Sequence, residues 1–288
     1  MTELRTLLPI DSIHDMVSLE AIRGRKLTGE PFYKEHWRSI EPERMSAYRS
    51  GFGWDEAAEQ LYIPADISIG QSVADFGCGP GKVSVALANK VGTGGHVYAI
   101  DINAEFLNLV KENAAVAGVS DRVTTHLNDG VSLPINDSSL DRVTARNALM
   151  YVDDPVNTLM EFYRVLRPGG LAHAIDGDWF MMVAEPVAHQ PWREFVEAAS
   201  HACSNSDMGR KLYVSFVEAG FQDVRVSIIA NADVEGRLLG MIRNMAKYAK
   251  EGGTINHDAI DDVVSQVEQA HAEGAYLVVS PQFVVTGR

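Results

Sequence analysis

Cysteine is nearly absent from this chain: Cys78 and Cys203 are the only two in 288 residues. They lie too far apart in sequence for a disulfide framework or a C-x-x-C metal site, so a reducing, cytoplasmic setting and metal independence are expected. Basic residues are also short. Twenty-five Lys and Arg against 39 Asp and Glu leave a formal charge of −14, which argues against the clustered cationic surface that displaces counterions from nucleic acid. Arg23, Arg25 and Lys26 form the nearest thing to a basic patch and read as a solvated helix face. No apolar run reaches the roughly 20 residues that cross a bilayer. The start, Met1-Thr2-Glu3-Leu4-Arg5, has no cationic lead before an apolar core, so neither a membrane span nor secretion is expected. Repeats are missing too, since the tetrapeptide Asp-Arg-Val-Thr at 121–124 and 141–144 is far shorter than any stacking unit. With 46% apolar residues, the chain can bury the core of one domain with additions.

What is present begins with Asp75-Phe76-Gly77-Cys78-Gly79-Pro80-Gly81. An apolar, strand-like run precedes it and a small-residue, helix-like run from Lys82 to Ala88 follows, giving strand, glycine-rich turn, helix. Such a turn brings backbone close to a ligand, and the free N–H groups of the helix start favour an anionic group. Two nucleotide motifs fail on spacing. Counting G-x-G-x-x-G from Gly77 puts Lys82 where the third glycine belongs. The phosphate-loop pattern fails because Val83 replaces Ser or Thr.

An acid two places before G-x-G-x-G resembles motif I of the class I S-adenosylmethionine (SAM) dependent methyltransferases. Three further segments resemble that family in order. Residues 95–101 read as a second strand ending in Asp101, residues 122–127 as a third strand followed by Asn128-Asp129-Gly130-Val131, and residues 139–148 as the fourth strand with its active-site end. Leu166-Arg167-Pro168-Gly169-Gly170 then resembles the helix exit before a fifth strand. The style of sequence is similar to the ubiquinone/menaquinone-biosynthesis-like group. The likeness implies that Asp75 helps to fix the SAM ammonium, Asp101 accepts the ribose hydroxyls and Asp129 faces the adenine amino group. It places the cofactor site at Asp75, Gly77, Cys78, Gly79, Gly81, Asp101, Ile102, Asp129, Gly130 and Asn147.

The expected fold is α/β, a Rossmann-like methyltransferase sheet of seven strands with the last one antiparallel. Its divisions are an N-terminal helical lid (1–62), the SAM-binding core (63–230), a helical cap insertion (231–274) and the final core strand (275–288). The lid and cap are expected to meet over the crevice and shape an acceptor pocket, although their apolar stripes also suit plain packing on the sheet. At least one of Tyr33 and Trp54 is expected to touch cofactor or acceptor. For proton abstraction, Tyr151 and Asp178 are the favoured groups, with His189 as a further candidate. Asp153-Asp154-Pro155 reads as a helix start, and His173 as a core histidine.

The expected function is methyl transfer from SAM, releasing S-adenosylhomocysteine, to O, N or C of a small, apolar or aromatic metabolite. A SAM-binding protein without transfer, such as a cyclase, isomerase or binding protein, is the alternative, because fold does not fix chemistry. A macromolecule methyltransferase is disfavoured by the acidic balance, and Asn147-Ala148-Leu149-Met150 stands where many amino-methylating enzymes carry Asn-Pro-Pro-aromatic. The partner is therefore a small-molecule acceptor, with no nucleic acid and a homodimer possible.

Overall fold

A computed structural model of the chain describes residues 32–50 and 53–288. The part of the expected lid before residue 32, with the basic patch at 23–26, lies outside the described residues. Three short helices lead in: α1 (Phe32–Arg38), α2 (Pro42–Ser50) and α3 (Glu56–Tyr62). Alternation follows: β1 (Ser72–Phe76), α4 (Lys82–Val91), β2 (His96–Asp101), α5 (Ala104–Val116), β3 (Val123–Leu127), β4 (Leu140–Arg146), α6 (Pro155–Val165) and β5 (Leu166–Gly177). The C-terminal third contains β6 (Val183–Glu185), α7 (His189–Ala199), α8 (Met208–Glu218), β7 (Arg225–Ile229), β8 (Ala232–Asp233), α9 (Leu239–Gly252), α10 (His257–Ala272), β9 (Leu277–Val279) and β10 (Gln282–Gly287).

The main sheet runs β3-β2-β1-β4-β5-β10-β7. β10 is antiparallel to both β5 and β7, and the pairs from β3 to β5 are parallel. Strand order reverses beside β1, where β4 returns to its other side, and such a reversal opens a crevice beyond the strand ends. Local chemistry sets the helix starts there. Asn103 accepts from the backbone N–H of Glu105 and Phe106, and Asp154 from that of Asn157, so each satisfies a donor that the first turn leaves free. Pro155 occupies the first helical position of α6, as its sequence implied.

Two segments depart from expectation. The run from residue 277, read as one last strand, breaks at Ser280-Pro281, and β9 leaves the main sheet to pair between β6 and β8. Proline has no N–H to give to a ladder, and the chain changes sheets there. Residues 166–170, read as a helix exit and turn, already belong to β5. Pairing jumps from Leu140–Leu166 to Arg142–Leu171, and Gly169 at φ +81° takes up the extra residues as a bulge. Among the described residues, no helix is long and apolar enough to cross a membrane.

Candidate active site

A cleft of about 1240 Å³, counted out to solvent, opens beyond the C-terminal ends of β1, β2 and β4. Its floor is the 77–81 loop. Gly77 and Cys78 both donate to the Ile100 carbonyl of β2, at 2.8 and 3.1 Å, and the Asn113 side chain donates to the Pro80 carbonyl at 2.8 Å. Glycine is required at two positions for different reasons. A Cβ on Gly81 (φ +86°) would lie 2.6 Å from Val110 Cγ2, so this residue lets α4 pass close to α5. Gly79 (φ +51°) has no atom within 4 Å of where its Cβ would stand. Gly79 therefore leaves room for a ligand, and Gly81 serves the packing below; Gly79 lines the cleft and Gly81 does not.

Three carboxylates frame this half. Asp75 is buried and accepts from the Ser84 hydroxyl at 2.6 Å; burial pushes its carboxyl up to about 7, against that hydrogen bond. Burial likewise raises Asp101 to about 6, opposed by the N–H groups of Asn103 (2.9 Å, to Oδ1) and Gly79 (2.8 Å, to Oδ2). Each carboxylate oxygen has two lone pairs, so both retain capacity for ligand hydroxyls. Asp129 is exposed at the rim, where the N–H groups of Val131 and Ser132 hold it below the usual carboxylate range. Ile102, Gly130 and Asn147 also line the cleft, Asn147 in the left-handed region at φ +50°.

The opposite wall comes from α1, the first turn of α5 and the 147–153 segment. Tyr33, Trp37, Phe106 and Tyr151 present rings to the cleft, with Trp37 and Tyr151 edge to face at 4.8 Å. Helix α1 is tied to both lips: Tyr33 Oη and Lys34 Nζ donate to Asp153, and Asn103 Nδ2 donates to the Trp37 carbonyl at 2.9 Å. Against the opposing effect of burial, those two donors hold Asp153 below its ordinary range. Behind α1, the Tyr48 and Tyr248 hydroxyls meet at 3.1 Å and Arg44 pairs with Glu251 at 2.7 Å, joining α2 to α9. The 231–274 segment thus meets the N-terminal helices, yet among the described residues none of its members lines the cleft.

Of the expected proton-transfer groups, only Tyr151 reaches the cleft. Its hydroxyl is driven well above its ordinary range, first by burial and then by neighbouring Cys203. Asp178 is held elsewhere: its buried carboxylate takes both Nε and Nη2 of Arg210 and caps the next turn through Phe180 N–H, so it is committed to an ion pair outside the cleft. His189 is exposed at the first residue of α7, away from the cleft. His173 is a core histidine, its Nε2 3.0 Å from the Leu61 carbonyl. Trp54 packs on Tyr62 at 5.0 Å, outside the cleft, whereas Tyr33 is at its wall. Sequence reading missed Trp37, Phe106 and above all Arg146, which lines the cleft with Nε and Nη1 buried and lacking hydrogen-bond partners. Its position directly before Asn147 at the end of β4 was the available signal.

Comparisons agree with this geometry. Residues 74–174 match the family model described as a methyltransferase domain. Methyltransferase GfsG of Streptomyces halstedii is 37% identical over 116 residues, 40% of this chain and 41% of that protein. The demethylmenaquinone methyltransferase of Lactiplantibacillus plantarum is 29% identical over 172 residues, 53% of this chain and 70% of that protein. The chain thus spans less than half of the first relative's length. In fold, it is similar to phosphoethanolamine N-methyltransferase 2 of Haemonchus contortus, solved with phosphomonomethylethanolamine and S-adenosylhomocysteine. That likeness has a TM-score of 0.59 at 18% identity and covers 89% of this chain and 60% of that one. The sheet order agrees with the fold of that neighbour, and the glycine loop lies within residues 74–174, the part of the chain that resembles the methyltransferase-domain model.

Proposed function

We propose that this chain transfers a methyl group from SAM to O, N or C of a small, apolar or aromatic acceptor. The observation that carries this reading is a single cleft with two unlike walls. One is glycine backbone and carboxylates, the other four aromatic rings. SAM supplies a sulfonium-bound methyl group for in-line displacement, so alignment of acceptor and donor provides much of the acceleration. The residues present fit that cofactor: Gly79 leaves open space above its backbone, Asp75 and Asp101 offer acceptors, and Arg146 has unmet donors. Asp101 holds the ribose hydroxyls, Asp75 the ammonium side, and Asp129 with Ile102 and Gly130 borders the adenine end.

Trp37, Phe106, Tyr33 and Tyr151 cover the acceptor, orient it through their faces and exclude water. Burial keeps the Tyr151 hydroxyl protonated at neutral pH, so it orients the acceptor by donating a hydrogen bond and does not act as the base. The proposed reaction needs no metal, because in-line displacement at a sulfonium requires only that donor and acceptor be aligned. Two free, buried cysteines and the acidic balance favour a cytoplasmic enzyme acting on metabolites and not on nucleic acid.

Calorimetric titration with S-adenosylhomocysteine, SAM and NADH tests the cofactor first. Selective binding of the sulfur nucleosides, at micromolar or tighter affinity, is expected, and its absence in folded protein overturns the reading. An acceptor screen read by S-adenosylhomocysteine release, with and without chelator, tests transfer and metal independence. Cofactor binding without release for every acceptor would favour a non-transferring function.

A further inference from the structure

β1 and β4 lie in parallel register, with Asp75 opposite Thr144. Residues two apart on a strand share a face, so Arg146 stands on the face of Thr144 and Asp75, one step nearer the strand end. Asp75 and Arg146 both line the cleft. Besides Arg146 Nε and Nη1, the Tyr62 hydroxyl beneath this face is buried without a hydrogen-bond partner. Tyr62 is brought there by α3, its ring 5.0 Å from Trp54 and 5.1 Å from His173, the neighbour of Thr144 in β5.

The groups that face Asp75 are therefore few. Ser84 of α4 donates a hydrogen bond, Thr144 of β4 and Tyr62 of α3 carry hydroxyls, Asp101 of β2 adds a like charge, and the Cys78 thiol belongs to the loop itself. Arg146 is the cation that faces it from β4. A guanidinium under a site for a cationic ligand opposes binding unless it is matched to a buried anion. Asp75, on the same face one step back along the sheet, is the buried anion that this cation acts on across space, without a direct hydrogen bond.

Resting on the reading of the cleft as a SAM site, we propose that Arg146 is a positioning residue, the counter-charge that keeps Asp75 ionised and able to receive the cofactor's ammonium. Burial and the Asp101 carboxylate both push Asp75 toward its neutral form, which attracts an ammonium weakly. Arg146 opposes them from β4. It acts through Asp75, so its removal changes the pH at which the site is ready.

The test follows the Gly77 and Gly79 amide resonances against pH in ligand-free protein. The wild type gives a step near pH 7, assigned to Asp75 by its loss in Asp75→Asn. In Arg146→Met that step moves up by about one pH unit, and Arg146→Lys restores most of the shift. S-adenosylhomocysteine affinity is then compared as the ratio of variant to wild type at each pH, which cancels titration of the ligand's own amine. The ratio shows about a fivefold loss at pH 7 and recovers above pH 9, as expected for a one-unit shift.

A step that stays put in Arg146→Met overturns the proposal. A loss that is equal at every pH, and that is missing for 5′-methylthioadenosine, also overturns it and makes Arg146 a direct ligand of the cofactor's carboxylate. If wild-type protein binds no sulfur nucleoside at any pH, the cofactor reading fails instead, and the amide titration still reports on the Arg146–Asp75 pair.

Discussion

The two walls of the cleft are built by different means. The cofactor wall is made of backbone: Gly77, Gly79, Gly130 and Asn147 all have positive φ, and the loop hangs from the Ile100 carbonyl of the neighbouring strand. The acceptor wall is made of side chains that meet across long stretches of sequence. Tyr33 reaches Asp153 across 120 residues, Tyr48 meets Tyr248 across 200, and Arg44 meets Glu251 across 207. A wall made from backbone conformation accepts few residue types and keeps one ligand. One made from side-chain bridges can be repacked for another acceptor by exchanging rings, with the chemistry untouched.

The sharpest break between them is expected inside the glycine loop. Gly81→Ala places a Cβ 2.6 Å from Val110 Cγ2 and 2.9 Å from its Cα, at φ +86°. Neither atom can give way without moving α5, so a loss of about 3 kcal/mol in unfolding free energy is expected. Gly79→Ala meets nothing within 4 Å and should cost about 1 kcal/mol through its φ alone, yet weaken S-adenosylhomocysteine binding at least tenfold. Thermal melts and calorimetry on the pair separate packing from ligand approach. Equal melting losses, or unchanged affinity in Gly79→Ala, would remove the distinction.

Asp101→Ala should weaken S-adenosylhomocysteine binding by about 1.5–3 kcal/mol, the range for hydrogen bonds to a charged group. Its stability changes less, since Asn103 still caps α5. Tyr151→Phe should do the reverse, leaving cofactor affinity intact and raising acceptor KM severalfold. If Tyr151→Phe also loses cofactor affinity, the walls are not independent.

Acid titration sharpens the same contrast. Asp176, next to the acceptor wall, is fully buried with both oxygens lacking hydrogen bonds, and burial drives its carboxyl well above the ordinary range. A carboxyl with a higher pKa folded than unfolded keeps its proton longer in the native state. Its penalty is absent below about pH 4, grows as pH rises toward the folded value and levels off above it. Asp101 and Asp75 reach their full penalty at about 6 and about 7. Asp176→Asn is therefore expected to leave stability at pH 4 nearly unchanged and to raise melting by a few degrees at pH 8, about 1 kcal/mol. The same shift at both pH values would mean that Asp176 does not titrate as its burial implies.

The cofactor wall was legible in the sequence because backbone demands appear as residue types. Gly77, Gly79 and Gly81, the acids at 75 and 101, and the turn at 128–130 stand in consecutive strand-to-helix units. Asp154-Pro155 declared a helix start for the same reason. The acceptor wall was legible only in part. Tyr33 and Trp54 were both candidates, but which ring faces the cleft is settled by contacts of α1 with Asn103 and Asp153, which no local pattern encodes. Asp178 misled because an acid beyond the end of β5 looks available until Arg210, 32 residues on, claims it. Arg146 was passed over because a lone arginine at a strand end carries no motif, and its place directly before Asn147 was the one signal; its buried, unpartnered guanidinium nitrogens show only in the structure. Trp54 and the 231–274 helices show the same limit, since apolar stripes specify burial and not what they are buried against.

The smallest expected effect tests whether the acceptor wall is as separable as its construction implies. Tyr33→Phe removes one donor from Asp153 and leaves Lys34 paired with it. Asp153 is exposed, so water replaces the lost bond, and the loss in stability should stay near 0.5 kcal/mol, at the low end for a hydrogen bond. The ring remains, so the cleft keeps its apolar surface; only the tie holding α1 to one lip loosens, while Asn103 holds the other. A two- to threefold rise in acceptor KM with unchanged S-adenosylhomocysteine affinity is the expected signature. A drop in cofactor affinity of the same size would show that α1 closes over both ligands as one piece, because Asn103, the residue it grips, also donates its backbone N–H to Asp101.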